Sequence, residues 1–257
     1  MENNFYNIFD SHAHYDDKWF DEDREVLLSS MKENGVCGIV NNAVDLKTAK
    51  VCIDFCEKYD FMYGAVGFHP ENLEDMPNDY LDRVAELLKH KKIVAVGETG
   101  LDYHWDISKD LQNRVFEEQI KLSLDVNMPI IVHDREAHGD TINYLRKYKP
   151  KALVHCFSGS VEMMREVMRY GSYISLGGVV TFKNARHSVE VAKEVPIDRL
   201  LLETDCPYMS PVPFRGKRCD STMIKYTAEK IAEIRNTDVQ ELLNITAENA
   251  KRFYGID

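Results

Sequence analysis

The sequence predicts an α/β fold, a (β/α)8 barrel of the TIM type, and three observations carry that prediction. Apolar, β-branched runs of strand length alternate with segments of helical spacing, eight of each along 257 residues. The connections that enter the strands are short, whereas 99–108, 177–187 and 206–221 are long, and all three follow strands. Loops of that kind gather on the C-terminal face of a barrel, where chemistry is done. No linker, low-complexity segment or internal boundary interrupts the pattern, so 1–257 reads as a single domain. An open doubly wound sheet is the alternative, because strand order is not legible in one sequence.

The elements follow in order. Residues 6–10 form a short strand run into Ser11-His12-Ala13-His14, and 21–34 have helical spacing that stops at Gly35. Strand-like 36–44 precedes helical 46–58, and 61–67 is a third strand running into Phe68-His69-Pro70. The helix 81–90 leads to Ile93-Val94-Ala95-Val96, a strand buried on both faces that ends in the turn Gly97-Glu98-Thr99-Gly100. The amphipathic stretch 111–126 precedes a fifth strand, 129–132, ending at His133. Helix 140–148 is followed by strand 152–154, ending at His155, and then by helix 161–170 and strand 172–176. A short helix over 189–194 and strand 200–203, ending at Asp205, precede helix 222–235. Two further helical pieces, 239–243 and 247–254, make the tail.

Composition bounds the function. At 44% hydrophobic and 29% charged the chain has ample material for a core, and the net charge of −11 argues against broad coating of nucleic acid. A locally basic mouth is compatible with that total. The opening MENNFYNIFD lacks a basic region followed by an apolar one, and no run approaches the length of a membrane helix. Six cysteines form no CxxC pair; Cys52 and Cys56, four apart, read as buried thiols on one helix face. A reduced, cytoplasmic protein is expected, monomeric and without a protein partner.

Chemistry concentrates at the strand ends. A charged carboxylate at the tip of a buried strand is costly unless something pairs with it, and Glu98 is such a group. His12 and His14 lie two apart near a strand end and point the same way. Glu98, His133, His155 and Asp205 end strands four, five, six and eight. Six imidazole and carboxylate groups on one face are too many for one tetrahedral zinc and suit two ions with a shared carboxylate. Imidazole suits zinc, nickel or iron, while carboxylate also admits magnesium or manganese.

With those residues in place, the chain resembles the TatD family of metal-dependent hydrolases. The matching stretches are FDSHAH (9–14), GFHP (67–70), VGETGLDY (96–103), IVHDR (131–135), HCFSG (155–159) and ETDCPY (203–208), in the family's order. The resemblance implies a TIM barrel and metal-dependent phosphodiester hydrolysis, typically as a deoxyribonuclease. It places His12, His14, Glu98 and Asp205 around one metal, and Glu98, His133 and His155 around the other. One departure stands out: after Arg215-Gly216-Lys217-Arg218 the family usually has Asn, an acid or Ser, and Pro, where this chain has Cys219-Asp220-Ser221.

The remaining roles follow from chemistry. Two cations would neutralise a phosphodiester, lower the pKa of water toward neutrality and stabilise the leaving oxygen. Asp205 reads as proton acceptor as well as ligand, with ligand alone as the alternative; Glu98 is catalytic as the bridge. Glu203 reads as a support that orients a histidine. His69 reads as a substrate-phosphate contact rather than a ligand. Arg135, Lys183, Arg215, Lys217 and Arg218 are candidate phosphate contacts, with 215–218 favoured. Tyr103, His104 and Trp105 offer faces for an unpaired base. The expected substrate is DNA, as single strands or ends. An ester or amide hydrolase on the same centre (an aminoacyl ester on tRNA, or a cyclic amide) is the second expectation, and a non-catalytic binding barrel the third.

Overall fold

The computed structural model describes residues 5–256, so the first four residues and Asp257 of the expected 1–257 span lie outside it. Eight strands stand in sequence order in one parallel sheet. They are β1 (Ile8–Ala13), β2 (Val36–Asn42), β3 (Met62–Val66), β4 (Ile93–Asp102), β5 (Ile130–Arg135), β6 (Ala152–Val154), β7 (Tyr173–Leu176) and β8 (Leu200–Leu202). The ring is drawn shut above β8, where Asp205 N donates to His12 O at 2.9 Å and His14 N to Cys206 O at 2.8 Å. The barrel is therefore the TIM type and not the open sheet. Helices α1 (Arg24–Ser30), α2 (Leu46–Lys58), α3 (Tyr80–Leu87), α4 (Lys109–Asp125), α5 (His138–Tyr148), α6 (Val161–Met168), α7 (Arg186–Glu194) and α8 (Ile224–Arg235) alternate with the strands, and α9 (Val239–Tyr254) follows.

Local chemistry sets these boundaries. Asp45 and Thr48 form a capping box on α2, and the side chains of Ser108, Ser160 and Asp238 cap α4, α6 and α9. The tail is one continuous helix rather than two pieces, because its apolar face, ending in Phe253 and Tyr254, plugs the barrel. No helix among the described residues is long and apolar enough to cross a membrane.

Inside the barrel, each strand contributes one residue to a single layer: Phe9, Val40, Ala65, Ala95, Ile131, Leu153, Tyr173 and Leu201. Side chains of a strand return to the same face every second residue. Two positions beyond that layer stand His133 above Ile131 and His155 above Leu153, while Glu203 and then Asp205 lie above Leu201. The core period thus delivers these groups to the mouth.

The other three, Glu98, His12 and His14, break the period. β4 does not stop at Val96, as the sequence suggested, but runs on to Asp102 with Glu98 inside it. Its pairing with β5 shifts between Val96 and Thr99, a bulge that turns Glu98 inward. Gly97 and Gly100, at φ 141° and 147°, permit the bulge; a Cβ on Gly100 would lie 2.0 Å from His133 O. β1 shifts against β2 between Asp10 and Ala13 and re-aims His12, and with it His14, in the same way.

Candidate metal centre and active site

The floor of the mouth is organised by the two oxygens of Glu98, which is 2% exposed. Oε2 faces His12 Nε2 at 3.2 Å and His14 Nε2 at 3.4 Å. Oε1 faces His155 Nε2 at 2.8 Å, His133 Nδ1 at 3.0 Å and His69 Nε2 at 3.4 Å. Asp205 Oδ1 closes the first group, 3.4 Å from His14 Nε2 and 3.7 Å from His12 Nε2. Asp205 takes a left-handed φ of 57°, a conformation Asp tolerates better than most residues.

The donor set fits metal ions. His14 presents Nδ1 to Asn42 O at 2.9 Å, so its proton belongs there and the lone pair of Nε2 faces the centre. His133 presents Nε2 to Asp102 Oδ2 at 2.9 Å, which leaves the Nδ1 lone pair inward. The inward nitrogens crowd each other, His12 Nε2 and His14 Nε2 at 3.0 Å and His133 Nδ1 and His155 Nε2 at 3.3 Å. Lone pairs at that separation repel unless a proton or cation lies among them. His12 Nδ1 is buried and has no hydrogen-bond partner among the described residues. Ligand atoms of His12, His14 and Glu98, of His69, Glu98 and His133, and of His12, His155 and Asp205 all lie within 4.8 Å of one another within each set.

The electrostatics agree. Burial alone would strip His133 of its proton, but Asp102 and then Glu98 outweigh it and lift the pKa to about 9. Burial is likewise overcome at His14 by Asp205 and Glu98, and at His155 by Glu98 and Glu203, so both are raised well above the ordinary value. At His12 burial wins, with the charge of His155 beside it, and the pKa falls. Burial opposes ionisation of Glu98, yet His155, His12 and His69 hold it well below the usual carboxylate range. Protons on imidazoles are thus balancing carboxylates that divalent cations would balance instead.

His69 differs from the other four histidines. Its Nδ1 accepts the Glu71 N–H at 3.2 Å, so in the neutral ring the proton sits on Nε2, toward Glu98. Burial lowers its pKa and favours that neutral form. A protonated Nε2 donates hydrogen bonds and has no lone pair for a metal.

Sequence reasoning overlooked two supports. Asp102 carries the far side of His133, and a signal is present in the sequence: it lies four residues beyond Glu98, on the same face of a strand whose apolar run stops at Val96. Asp10, fully buried, accepts from His12 N, Thr204 N, Thr204 Oγ1 and Ser221 Oγ and ties β1 to the segment after β8. Burial still pushes its pKa up to about 7. Ser221 is the last residue of the departing Cys219-Asp220-Ser221 tripeptide. Glu203 was anticipated as a support. Its Oε1 accepts from Cys156 N at 2.6 Å and lies 3.8 Å from His155 Nδ1, beyond hydrogen-bond length.

Above the floor opens a cavity of about 770 Å³. Arg135 lines it, but Arg215, Lys217, Arg218 and Lys183 are not among its walls. Arg218 grips both carboxylate oxygens of Asp23 at 2.7 and 2.6 Å and donates to Trp19 O, so its guanidinium is committed to the protein. Arg215 lies over the Phe182 ring at 4.4 Å, and Lys217 sits 5.7 Å from that of Phe214. The basic run therefore does not form the mouth that the sequence suggested. Tyr103 is also committed: its hydroxyl donates to Asp140 and accepts from Asn113, and Lys109 covers its ring at 4.1 Å. His104 pairs with Glu136 at 3.1 Å. Trp105, of that trio, does line the cavity, half-exposed beside Arg135.

Comparison with known proteins agrees with this geometry. A family model described as TatD related DNase matches residues 9–255. An uncharacterized metal-dependent hydrolase, YabD of Bacillus subtilis (strain 168), is 46% identical over 254 residues, which cover 97% of this chain and all of the relative. A 3'-5' ssDNA/RNA exonuclease TatD of Pectobacterium parmentieri (strain WPP163) is 30% identical over 259 residues, covering 96% of this chain and 99% of that one. The crystal structure of YjjV, a TatD homolog from Escherichia coli K12, superposes with a TM-score of 0.90 at 28% identity, covering 98% of this chain and 99% of the other.

Proposed function

The chain belongs to the TatD-related DNase family and is a metal-dependent hydrolase; from that premise we propose that it cleaves phosphodiester bonds of DNA, at ends or in single strands. Two divalent ions, drawn from magnesium, manganese, zinc, nickel or iron, would be held by His12, His14, Glu98 and Asp205 on one side and Glu98, His133 and His155 on the other. One observation carries the reading: the two oxygens of a single buried carboxylate face two separate nitrogen groups. When bound, such ions screen the charge of a phosphodiester and stabilise its leaving oxygen.

The chain's own residues do the rest. The Asp205 side chain is 16% exposed and lines the cavity, whereas that of Glu98 is 3% exposed, so Asp205 is the carboxylate open to an incoming water. It accepts the proton of the attacking water. His69 directs its Nε2–H into the cavity and donates to a phosphate oxygen or steadies Glu98. Arg135, in the cavity wall beside Trp105, meets a phosphate. His155 faces Glu98 Oε1 at 2.8 Å and also shares a ligand set with His12 and Asp205, so it stands between the two groups.

The relative named as an ssDNA/RNA exonuclease supports a nucleic-acid substrate. The same reading takes 1–257 as one domain that works as a monomer without a protein partner. Six free thiols support a cytoplasmic location. A second reading, ester or amide hydrolysis, is favoured by one feature: Asp16, Asp17, Glu71 and Asp134 line the cavity against a single guanidinium, a poor match for a long polyanion. Elemental analysis followed by end-labelled single strands with magnesium, manganese or zinc decides. Two ions per chain and stepwise shortening are expected. A protein that cuts a small activated diester but leaves every strand intact would turn the assignment to the second reading.

A further inference from the structure

Both tryptophans of this chain are exposed, Trp105 in the cavity wall and Trp19 against the wall residue Tyr208, although most side chains of that size are largely covered. Trp105 has been placed beside Arg135. Trp19, 50% exposed, has its ring 6.0 Å from that of Tyr208, which is 46% exposed and lines the cavity. Met209, 44% exposed, continues the apolar face. The pair is braced. Asp17 Oδ1 accepts the backbone N–H of Trp19 at 2.8 Å and Asp17 Oδ2 accepts the Tyr208 hydroxyl at 2.8 Å, so one carboxylate ties the Trp19 main chain to the Tyr208 side chain. Arg218, anchored on Asp23, holds Trp19 O from behind at 2.7 Å. Tyr208 N donates to Asp205 O at 3.0 Å, which puts the platform one turn from the candidate proton acceptor.

The charge around it selects the occupant. Asp16 and Asp17 border this wall, and the lining cation, Arg135, stands by Trp105 instead. A phosphate on Trp19 and Tyr208 would meet two carboxylates, whereas a flat neutral group would meet aromatic faces and apolar edges. Resting on the nuclease reading, we propose that Trp19 and Tyr208 form a subsite that stacks the unpaired base next to the scissile phosphodiester, while the backbone turns away toward Arg135. Such stacking tolerates any base, since each has a π-face.

The two-tryptophan composition supplies the test. Trp105→Phe leaves Trp19 as the sole tryptophan reporter. A short phosphorothioate-linked oligothymidylate, which resists cleavage, should change its emission saturably in the metal-loaded protein. Tyr208→Ala in that background should weaken binding about 5- to 150-fold, the value of one base stack, and Tyr208→Phe should keep most of the affinity. The same oligomer with abasic sites should bind as weakly to the parent as the intact one does to Tyr208→Ala. A silent Trp19, or abasic binding equal to that of the intact oligomer, overturns the subsite. If ordinary single strands are cut while Trp19 stays silent, the subsite falls and the nuclease reading stands; if strands are neither cut nor bound, both fall.

Discussion

The floor of this mouth and its rim are built on opposite terms. Floor groups sit on strands or within three residues of their ends, are buried or largely covered, and are oriented through partners on neighbouring strands, as His133 is by Asp102 and His14 by the Asn42 carbonyl. Rim groups sit on the long loops after β1, β4 and β8, are half-exposed, and are positioned by ion pairs between those loops, as Arg218 is by Asp23. On the floor, strand period decides where a residue points, and residue type then decides its chemistry. On the rim, residue type says little until the loops have met.

The comparison breaks first, and hardest, at Glu98. Glu98→Ala removes both oxygens that divide the centre, so metal content should fall for both ions and turnover should become undetectable. Because the residue stands at the mouth and not in the packed layer below, circular dichroism should still show the wild-type fold. A variant that retains one full equivalent of tightly bound metal would mean the two nitrogen groups do not share this carboxylate.

Asp205→Asn is expected to be gentler to the metals and nearly as harsh to turnover, which should drop roughly 10²–10⁴-fold, the scale of losing a general base. Single-turnover rates at saturating metal measure it. Near-normal rates with both ions in place would reduce Asp205 to a ligand.

Asp102→Asn should cost about 10- to 100-fold in metal affinity, as lost orienting partners do. It also predicts a pH signature in the metal-free protein. The folded pKa of His133, about 9, lies above its ordinary 6.5 because Asp102 and Glu98 overcome burial. The corresponding stability is fully present below about 6.5 and is lost as pH rises through 9. Chelated wild-type protein should therefore lose more thermal stability over that window than chelated Asp102→Asn. Parallel curves would show that Asp102 does not hold that proton.

The same contrast explains what could be read from the residues alone. His133, His155 and Asp205 were legible because each lies an even number of positions beyond its strand's residue in the inward-facing layer, Ile131, Leu153 or Leu201, and burial imposes that period. Glu98 was legible as chemistry but misplaced as a turn, because a bulge with Gly97 and Gly100 lets a strand continue where the apolar run stops. Asp102 was lost with it. Arg218 and Tyr103, expected to contact substrate, are tied to Asp23 and Asp140, partners that lie far off in sequence. Nothing in a single chain pairs a loop after the last strand with one after the first. Trp19 went unnoticed for the same reason, since its significance comes from Tyr208.

The smallest effect sharpens the comparison most. Arg218 was expected to bind phosphate, and its geometry makes it a fastener between loops. Its side chain is 31% exposed and that of Asp23 46%, so water screens the pair, and Arg218→Ala should destabilise by only about 1 kcal/mol, roughly 2–4 °C in Tm. Affinity for single strands can still fall, because Trp19 loses its hold from behind. The salt dependence separates the two causes. Each phosphate neutralised contributes about 0.7 to the slope of log affinity against log salt on single strands, whereas a stacked base contributes none. Arg135→Ala should make the slope shallower by about that amount, and Arg218→Ala should leave it unchanged while lowering the whole line. A slope that flattens for Arg218→Ala as it does for Arg135→Ala would mean that Asp23 releases the guanidinium when substrate arrives, and that the rim, unlike the floor, is rebuilt on binding.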